Sequence, residues 1–219
     1  MKWPLATLLL LLVVRTAADE LAYSRKEVIY GRTYGLALTM DVFTPRQNAN
    51  VAEVLRGAVK IPLAEYLSAK IWRPAGMEAE ARWWLGSPDG VEIGGSGISA
   101  TLRDYGRFGQ FVLEQGIVGP DTILPAGWVA EAGSPKVLRD GTPLDYGYMW
   151  WTPLTAAATR DHAFTAEGIH GQYVYVNPAA QVVIVVWSAQ PKPTGGAVVN
   201  DHAFFAAVVA ALRPAAPPR

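Results

Sequence analysis

Two rhythms of apolar residues divide the chain near Val51. Upstream, "LALTMDVFTP" alternates Leu36, Leu38, Met40 and Val42, and "KEVIYGRTYG" precedes it, so residues 20–50 predict two short strands with turns. Downstream, "VAEVLRGAVKIPLAEYLSAKIW" spaces Val54, Leu55 and Val59, then Leu63, Tyr66, Leu67 and Ile71, at the period of a helix. Pro62 lacks the amide that a helix interior needs, so this stretch predicts two helices rather than one. "RPAGMEAEARWWLGSPDG" predicts a loop with a turn at Asp89 and Gly90. In "SATLRDYGRFGQFVLEQG", Thr101 and Asp104 have capping-box spacing and Leu102, Tyr105, Phe108, Phe111 and Val112 form one stripe, which predicts a helix stopped by Gly116. "DYGYMWWT", "QYVYVN" and "QVVIVVWS" predict three neighbouring antiparallel strands, the last two joined by a turn at Asn177 to Ala180. "DHAFFAAVVAALR" is apolar on several sides and predicts a closing helix laid over that sheet. The order is that of an α+β fold, an antiparallel sheet flanked by helices.

The first residues break this pattern. "MKWPLATLLLLLVVRTAADE" has Lys2, an apolar run from Trp3 to Val14, and small residues at Thr16 and Ala18, which predicts a secretory leader over residues 1–18, cut after Ala18. The expected location is secreted or periplasmic, with no membrane association after cleavage. Lys plus Arg and Asp plus Glu both number 19, so no net field gathers nucleic acid, and none is expected as a partner. Cysteine is absent, and His162, His170 and His202 have no metal-ligand spacing, so neither a metal nor another cofactor is expected. Residues 214–219, "PAAPPR", predict a disordered tail.

The succession "PLAEYLSAKIWRPAGME", "SATLRDYGRFG", "YGYMWW", "AEGIHGQYVYVNP", "VVIVVWS" and terminal helix resembles the serine β-lactamase and penicillin-binding-protein superfamily. Within it the chain looks most like class C-like esterases and 6-aminohexanoate-dimer hydrolases. The likeness runs from about residue 50 to residue 212, so residues 51–213 are expected to be the C-terminal part of a β-lactamase-like domain, with 19–50 a short β segment of uncertain origin. That segment resembles the opening strands of secreted α/β-hydrolase esterases, although no Gly-x-Ser-x-Gly elbow follows, since "GGSGI" ends in Ile98. The superfamily likeness implies a partial β-lactamase/transpeptidase-like fold and acyl transfer from an ester or amide to a serine, opened afterwards by water.

In the superfamily a Lys-Thr-Gly-like strand edges the site. Ala166, Glu167 and Gly168 occupy its places here, with Gly171 following at the expected spacing. The resemblance makes the backbone amide of Ile169 the oxyanion-hole candidate, and Ala166, Glu167, Gly168, His170, Gly171, Gln172 and Trp150 candidates for the pocket strand and wall. The plainer alternative is that Gly168 and Gly171 only shape the turn into the next strand. Trp150 and Trp151 are expected to face opposite sides of a strand, His170 to be a structural hydrogen-bonding residue, "KPTGG" from Lys192 a turn, and Arg103 and Asp104 helix-end charges.

The superfamily's Ser-x-x-Lys is missing: Ser24 meets Glu27, Ser68 meets Ile71, Ser134 meets Val137 and Ser188 meets Pro191. Its tyrosine base is missing too, because "DVFTPRQNAN" holds Phe43 and no tyrosine. The expectation is a β-lactamase-related serine hydrolase by descent, truncated and inactive alone, with no catalytic residue identified. Its partner, if any, is a small-molecule ester or amide, and uncovered apolar faces favour self-association. Two alternatives stand beside it: a non-catalytic binding module that retains the pocket wall, and a fused gene-prediction artefact.

Overall fold

The computed structural model describes residues 23–33, 36–45, 51–153, 155–193 and 199–213. The leader, the tail and part of "KPTGG" lie outside the described residues. The described residues fall into two compact units, those up to Leu63 with Leu85–Gly95, and Ala64–Trp84 with those from Ser96 on.

In the first unit the alternation upstream of Val51 becomes an antiparallel hairpin, β1 (Tyr23–Thr33) and β2 (Leu36–Pro45), whose register slips between Ile29 and Gly31. Helix α1 (Val51–Val59) follows. Its Arg56 reaches the buried carboxylate of Glu92 at 3.2 Å. The turn predicted at Asp89 and Gly90 closes through Gly90 N–H donating to Ser87 O at 3.0 Å.

Helix α2 (Leu63–Leu67) begins just after Pro62 and runs into a π-helical turn, Ser68–Trp72. The second unit continues with β3 (Arg82–Trp83) paired to β4 (Ile98–Ser99), then α3 (Leu102–Leu113). The Thr101 side chain accepts from Asp104 N–H at 3.1 Å, as the capping-box spacing predicts. At the other end Gly116 takes φ +72° and returns its N–H to Phe111 O at 2.8 Å, satisfying a carbonyl of the last turn. Short ladders β5 (Ile117–Val118) with β6 (Asp121–Thr122), and β7 (Lys136–Val137) with β8 (Pro143–Leu144), flank α4 (Trp128–Ala132). Then come α5 (Ala156–Asp161), β9 (Phe164–Gly168), β10 (Gln172–Asn177), β11 (Val182–Val186) and α6 (Asp201–Leu212).

The main sheet is antiparallel with β10 in the centre, β11 on one side and β9 on the other. Successive strand residues point to opposite faces, so β10 serves two cores. Val174 and Val176 pack with Phe111, Val112, Trp150 and Phe164 beneath α3. Tyr175 packs with Phe205 and Val209 of α6, and Tyr173 lies against that cluster. Burying each such large side chain contributes roughly 1.5–3 kcal/mol. Helix α3 comes close because Gly109 has no Cβ: one there would collide with Val183 and press on Val174. The closing helix lies over the sheet, as its composition predicts.

One predicted strand is corrected. "DYGYMWWT" folds back on itself instead: Gly147 N–H donates to Trp150 O and Thr152 N–H to Asp145 O, both at 2.8 Å, and Met149 takes φ +65°. A left-handed residue interrupts the pleat despite the β-favouring aromatics around it. The place beside β10 belongs to β9, and only Trp151 of the folded-back segment bridges to it, at Thr165.

Asp104 is likewise more than a helix-end charge. It is fully buried and accepts from the N–H groups of Glu78 at 2.7 Å and Ala79 at 3.1 Å and from Thr101 Oγ1 at 2.9 Å. Burial pushes its carboxyl upward, but these donors and Arg107 outweigh it and leave the value below the ordinary one.

Behind the sheet, Asp161 ties three elements together. Its carboxylate accepts from Arg160 at 2.8 Å, Arg213 at 2.6 Å and Asn177 at 3.1 Å, at 4% exposure. Arg160 most of all, then Asn177 and Arg213, overcome burial and hold its pKa at about 2, against an ordinary 3.8. A depressed folded value means the contribution is complete above about pH 4 and is lost as pH falls toward about 2, a change of about 2 kcal/mol. Urea unfolding across that window should show this loss, and Asp161→Asn should remove most of it. An equally steep acid limb in the variant would refute the assignment.

Candidate functional site

Strand β9 is the exposed edge of the sheet, and its hydrogen bonds set which backbone groups face outward. Thr165 exchanges both its N–H and its C=O with Trp151, each at 2.8 Å, so Thr165 points away from β10. Outward and inward residues alternate along an edge strand, which turns the N–H and C=O of Glu167 outward as well. Ile169, next in that alternation, stands just past the strand and is 66% exposed. Among the described residues its amide meets no acceptor.

The turn that carries Ile169 is tightly built. Gly171 takes φ +80°, and its N–H donates to Gly168 O at 3.1 Å. His170 Nδ1 lies 2.8 Å from Gln190 O, and Gln190 N–H donates back to His170 O at 3.0 Å. Gln172 accepts from His170 N–H at 3.2 Å and donates its amide to Ser188 O. His170 is thus a structural hydrogen-bonding residue, as expected, and Gln172 is committed to holding the turn.

On the α3 face of this edge lies a cavity of about 650 Å³. Ala166, Gly168 and Gln172 line it on the strand side, Tyr105 and Ser99 on the helix side, and Trp187 beyond the end of β11. Tyr105 donates its hydroxyl to Ile98 O at 2.6 Å and meets the Trp187 ring edge-on at 6.1 Å. Burial pushes the Tyr105 phenol upward. On the opposite face, Glu167 accepts from Thr165 Oγ1 at 2.6 Å, and His202 Nε2 lies 3.7 Å from it. Tyr173 is pushed up to about 12 there, by burial first and then by the charges of Asp201 and Glu167. Among the described residues no cluster of His, Asp or Glu is arranged to hold a metal.

Ala166, Glu167 and Gly168 end β9 and Gln172 opens β10, and all four line the cavity, whereas Ile169, His170 and Gly171 form the turn between the strands and are not among its lining residues. Trp150 goes elsewhere. It is 6% exposed, stacked on Phe108 at 6.5 Å and edge-on to Phe164 at 5.0 Å, so it belongs to the core rather than the cavity wall. Trp151 does face outward, at 42% exposure. Sequence reasoning missed Tyr105 and Trp187 as wall residues. Trp187 was reachable by parity, because it continues the face of Val183 and Val185.

An antiparallel sheet with helices on both faces and a pocket along its outer edge strand is the partial β-lactamase/transpeptidase-like arrangement that the sequence resemblance implies. The chain belongs to the β-lactamase family, whose model matches residues 48–208. It is 24% identical over 152 residues to the 6-aminohexanoate-dimer hydrolase of Paenarthrobacter ureafaciens, a match covering 65% of this chain and 38% of that protein. A solved structure from Bacillus anthracis, provisionally named a 6-aminohexanoate-dimer hydrolase, superposes with a TM-score of 0.58 and 25% identity, over 79% of this chain and 45% of that one. A β-lactamase from Mycobacterium bovis shares the fold, with a TM-score of 0.53, 21% identity and coverage of 74% and 61%. The chain therefore spans less than half the length of the two 6-aminohexanoate-dimer hydrolases.

The two turn glycines do different work. An alanine at Gly171 would combine a left-handed backbone with a collision against Gln190, whereas at Gly168 it adds no such backbone strain and displaces the Gln172 amide from its bonds to His170 and Ser188. Gly171→Ala should therefore lower stability by about 1–3 kcal/mol and Gly168→Ala by about 1 kcal/mol. Urea midpoints compare them, and the reverse order would refute this account of the turn.

Proposed function

We propose that this chain carries the edge-strand wall of a serine hydrolase acting on ester or amide bonds, and that alone it does not turn over substrate. The observation that carries the reading is the outward edge of β9 beside the cavity, with the Ile169 amide free of any described acceptor. A donor so placed suits the oxygen of a carbonyl under attack. The reaction also needs a serine whose proton a neighbouring base removes. The sequence has neither Ser-x-x-Lys nor the tyrosine expected before residue 51. Ser99 lines the cavity, but among the described lining residues no Lys or His accompanies it, and the Tyr105 hydroxyl is spent on Ile98 O. A second reading, a module that binds without reacting, is favoured by the cavity itself, which is formed without those groups.

Nitrophenyl acetate and nitrocefin should give no turnover above a denatured control with the chain or with Ser96→Ala and Ser99→Ala. Turnover that either substitution abolishes would identify a working nucleophile and overturn the inactive reading.

We further propose that the chain is secreted or periplasmic and associates with itself; the leader-like pattern of residues 1–18 supports the first part, and exposed large apolar residues such as Val137 and Ile169 support the second. Secreted protein should begin at Asp19 and sediment as more than a monomer. Recovery of Met1, or a sharp monomer boundary, would count against the respective half of this statement.

A further inference from the structure

The opposite edge of the main sheet, β11, is open. Thr165 gives its N–H and C=O to Trp151, so its pair with Tyr175 on β10 carries no ladder bond, and Tyr175 turns both of its groups toward Ile184. Alternation then leaves the N–H and C=O of Val183 and Val185 facing away from β10, where among the described residues they meet no partner. Proteins ordinarily guard such an edge with a lysine, a proline or a bulge. Residues 181–190, "QVVIVVWSAQ", hold no charge and no proline, and β11 follows β10 in unbroken register.

The strand is also its own mirror in sequence. Val182, Val183, Ile184, Val185 and Val186 read the same in either direction, so an antiparallel copy centred on Ile184 sets Val183 opposite Val185 and Val182 opposite Val186, with like side chains meeting on both faces. The outward groups of Val183 and Val185 then bond one another across the junction. A strand edge alone buries less than the roughly 800 Å² per partner of a stable interface. Helix α6 adds to it. Its His202 and Arg213 lean toward β9 and α5, which puts Phe204, Val208 and Leu212 on the flank nearer β11, and both Phe204 and Leu212 are exposed. Strands about 4.8 Å apart set the α6 helices of two such copies roughly 10–14 Å apart, within reach of these side chains.

We infer that two copies of this chain pair β11 with β11 about a twofold axis at Ile184, forming one continuous sheet with both α6 helices side by side on one face. The inference rests on the reading that the chain associates with itself, and it names the surface and the register.

The chain has no cysteine, so single introduced ones report that register. At the axis Ile184 faces its own copy as a non-hydrogen-bonded pair with Cα atoms about 4.5 Å apart, within disulfide range. Mild oxidation of Ile184→Cys should link most of the protein into dimers, while Val186→Cys, about 14 Å from its copy, should not link to itself. Sedimentation equilibrium should show a dimer whose dissociation constant rises at least about tenfold in Val185→Pro, which removes an outward N–H, and in Phe204→Lys, which charges an exposed position. A monomer at every concentration would overturn self-association and this surface together. A dimer that neither substitution weakens, or one in which Ile184→Cys links no better than Val186→Cys, would overturn the surface alone. So would Val183 and Val185 amides that resist hydrogen exchange in dilute monomer, because a segment of the chain itself would then cover the edge.

Discussion

The pleat of β10 is the constraint on which the second unit depends. Val174 and Val176 face α3 while Tyr173 and Tyr175 face α6, so a slip of one residue would exchange the two cores at once. Each face is shaped for its own helix. The α3 face is lined by valines small enough for Gly109 to press against, and the α6 face carries aromatic rings that meet Phe205 at 5.3 and 5.0 Å. Asn177, at the end of the same strand, then fixes where the next turn begins, its side chain accepting from Ala180 N–H at 2.9 Å while donating to Asp161.

That register also decides what the edge strand offers. Because β10 takes the inward groups of β9 and Trp151 takes those of Thr165, the outward groups left are those of Glu167 and, beyond the strand, the amide of Ile169. Their position follows from the sheet, and the angle of the last amide follows from the turn that Gly171, His170 and Gln190 hold. The candidate site is therefore positioned by the sheet's backbone hydrogen bonds and by the side chains of His170 and Gln172, which hold the turn.

Much of this was legible in the sequence because periodicity reports burial. Period two located β10 and β11, the capping box and Gly116 bounded α3, and an almost uncharged terminal stretch marked α6 as lying on the sheet. The family likeness placed β9 and the Ile169 turn. What was not legible depended on partners distant in sequence. "DYGYMWWT" has the composition of a strand, yet the turn at Gly147 to Trp150 and the left-handed Met149 fold it back. Asp104 reads as an exposed cap until the N–H groups at Glu78 and Ala79, 26 and 25 residues away, are brought to it. Trp150 and Trp151 have the same local context, and only the cluster of Phe108 and Phe164 decides which one is buried.

Charge is placed economically in this unit, and its placement bears on chemistry. The buried carboxylates of Asp104 and Asp161 are saturated with donors, and both are held below their ordinary values, so neither is poised to take a proton near neutrality. The phenols of Tyr105 and Tyr173 are shifted the other way, toward staying protonated. None of these groups is tuned as a base. The titratable side chains of this unit are thus committed to holding the fold, and what the sheet leaves outward at its edge is backbone: among the described residues the Ile169 amide meets no acceptor.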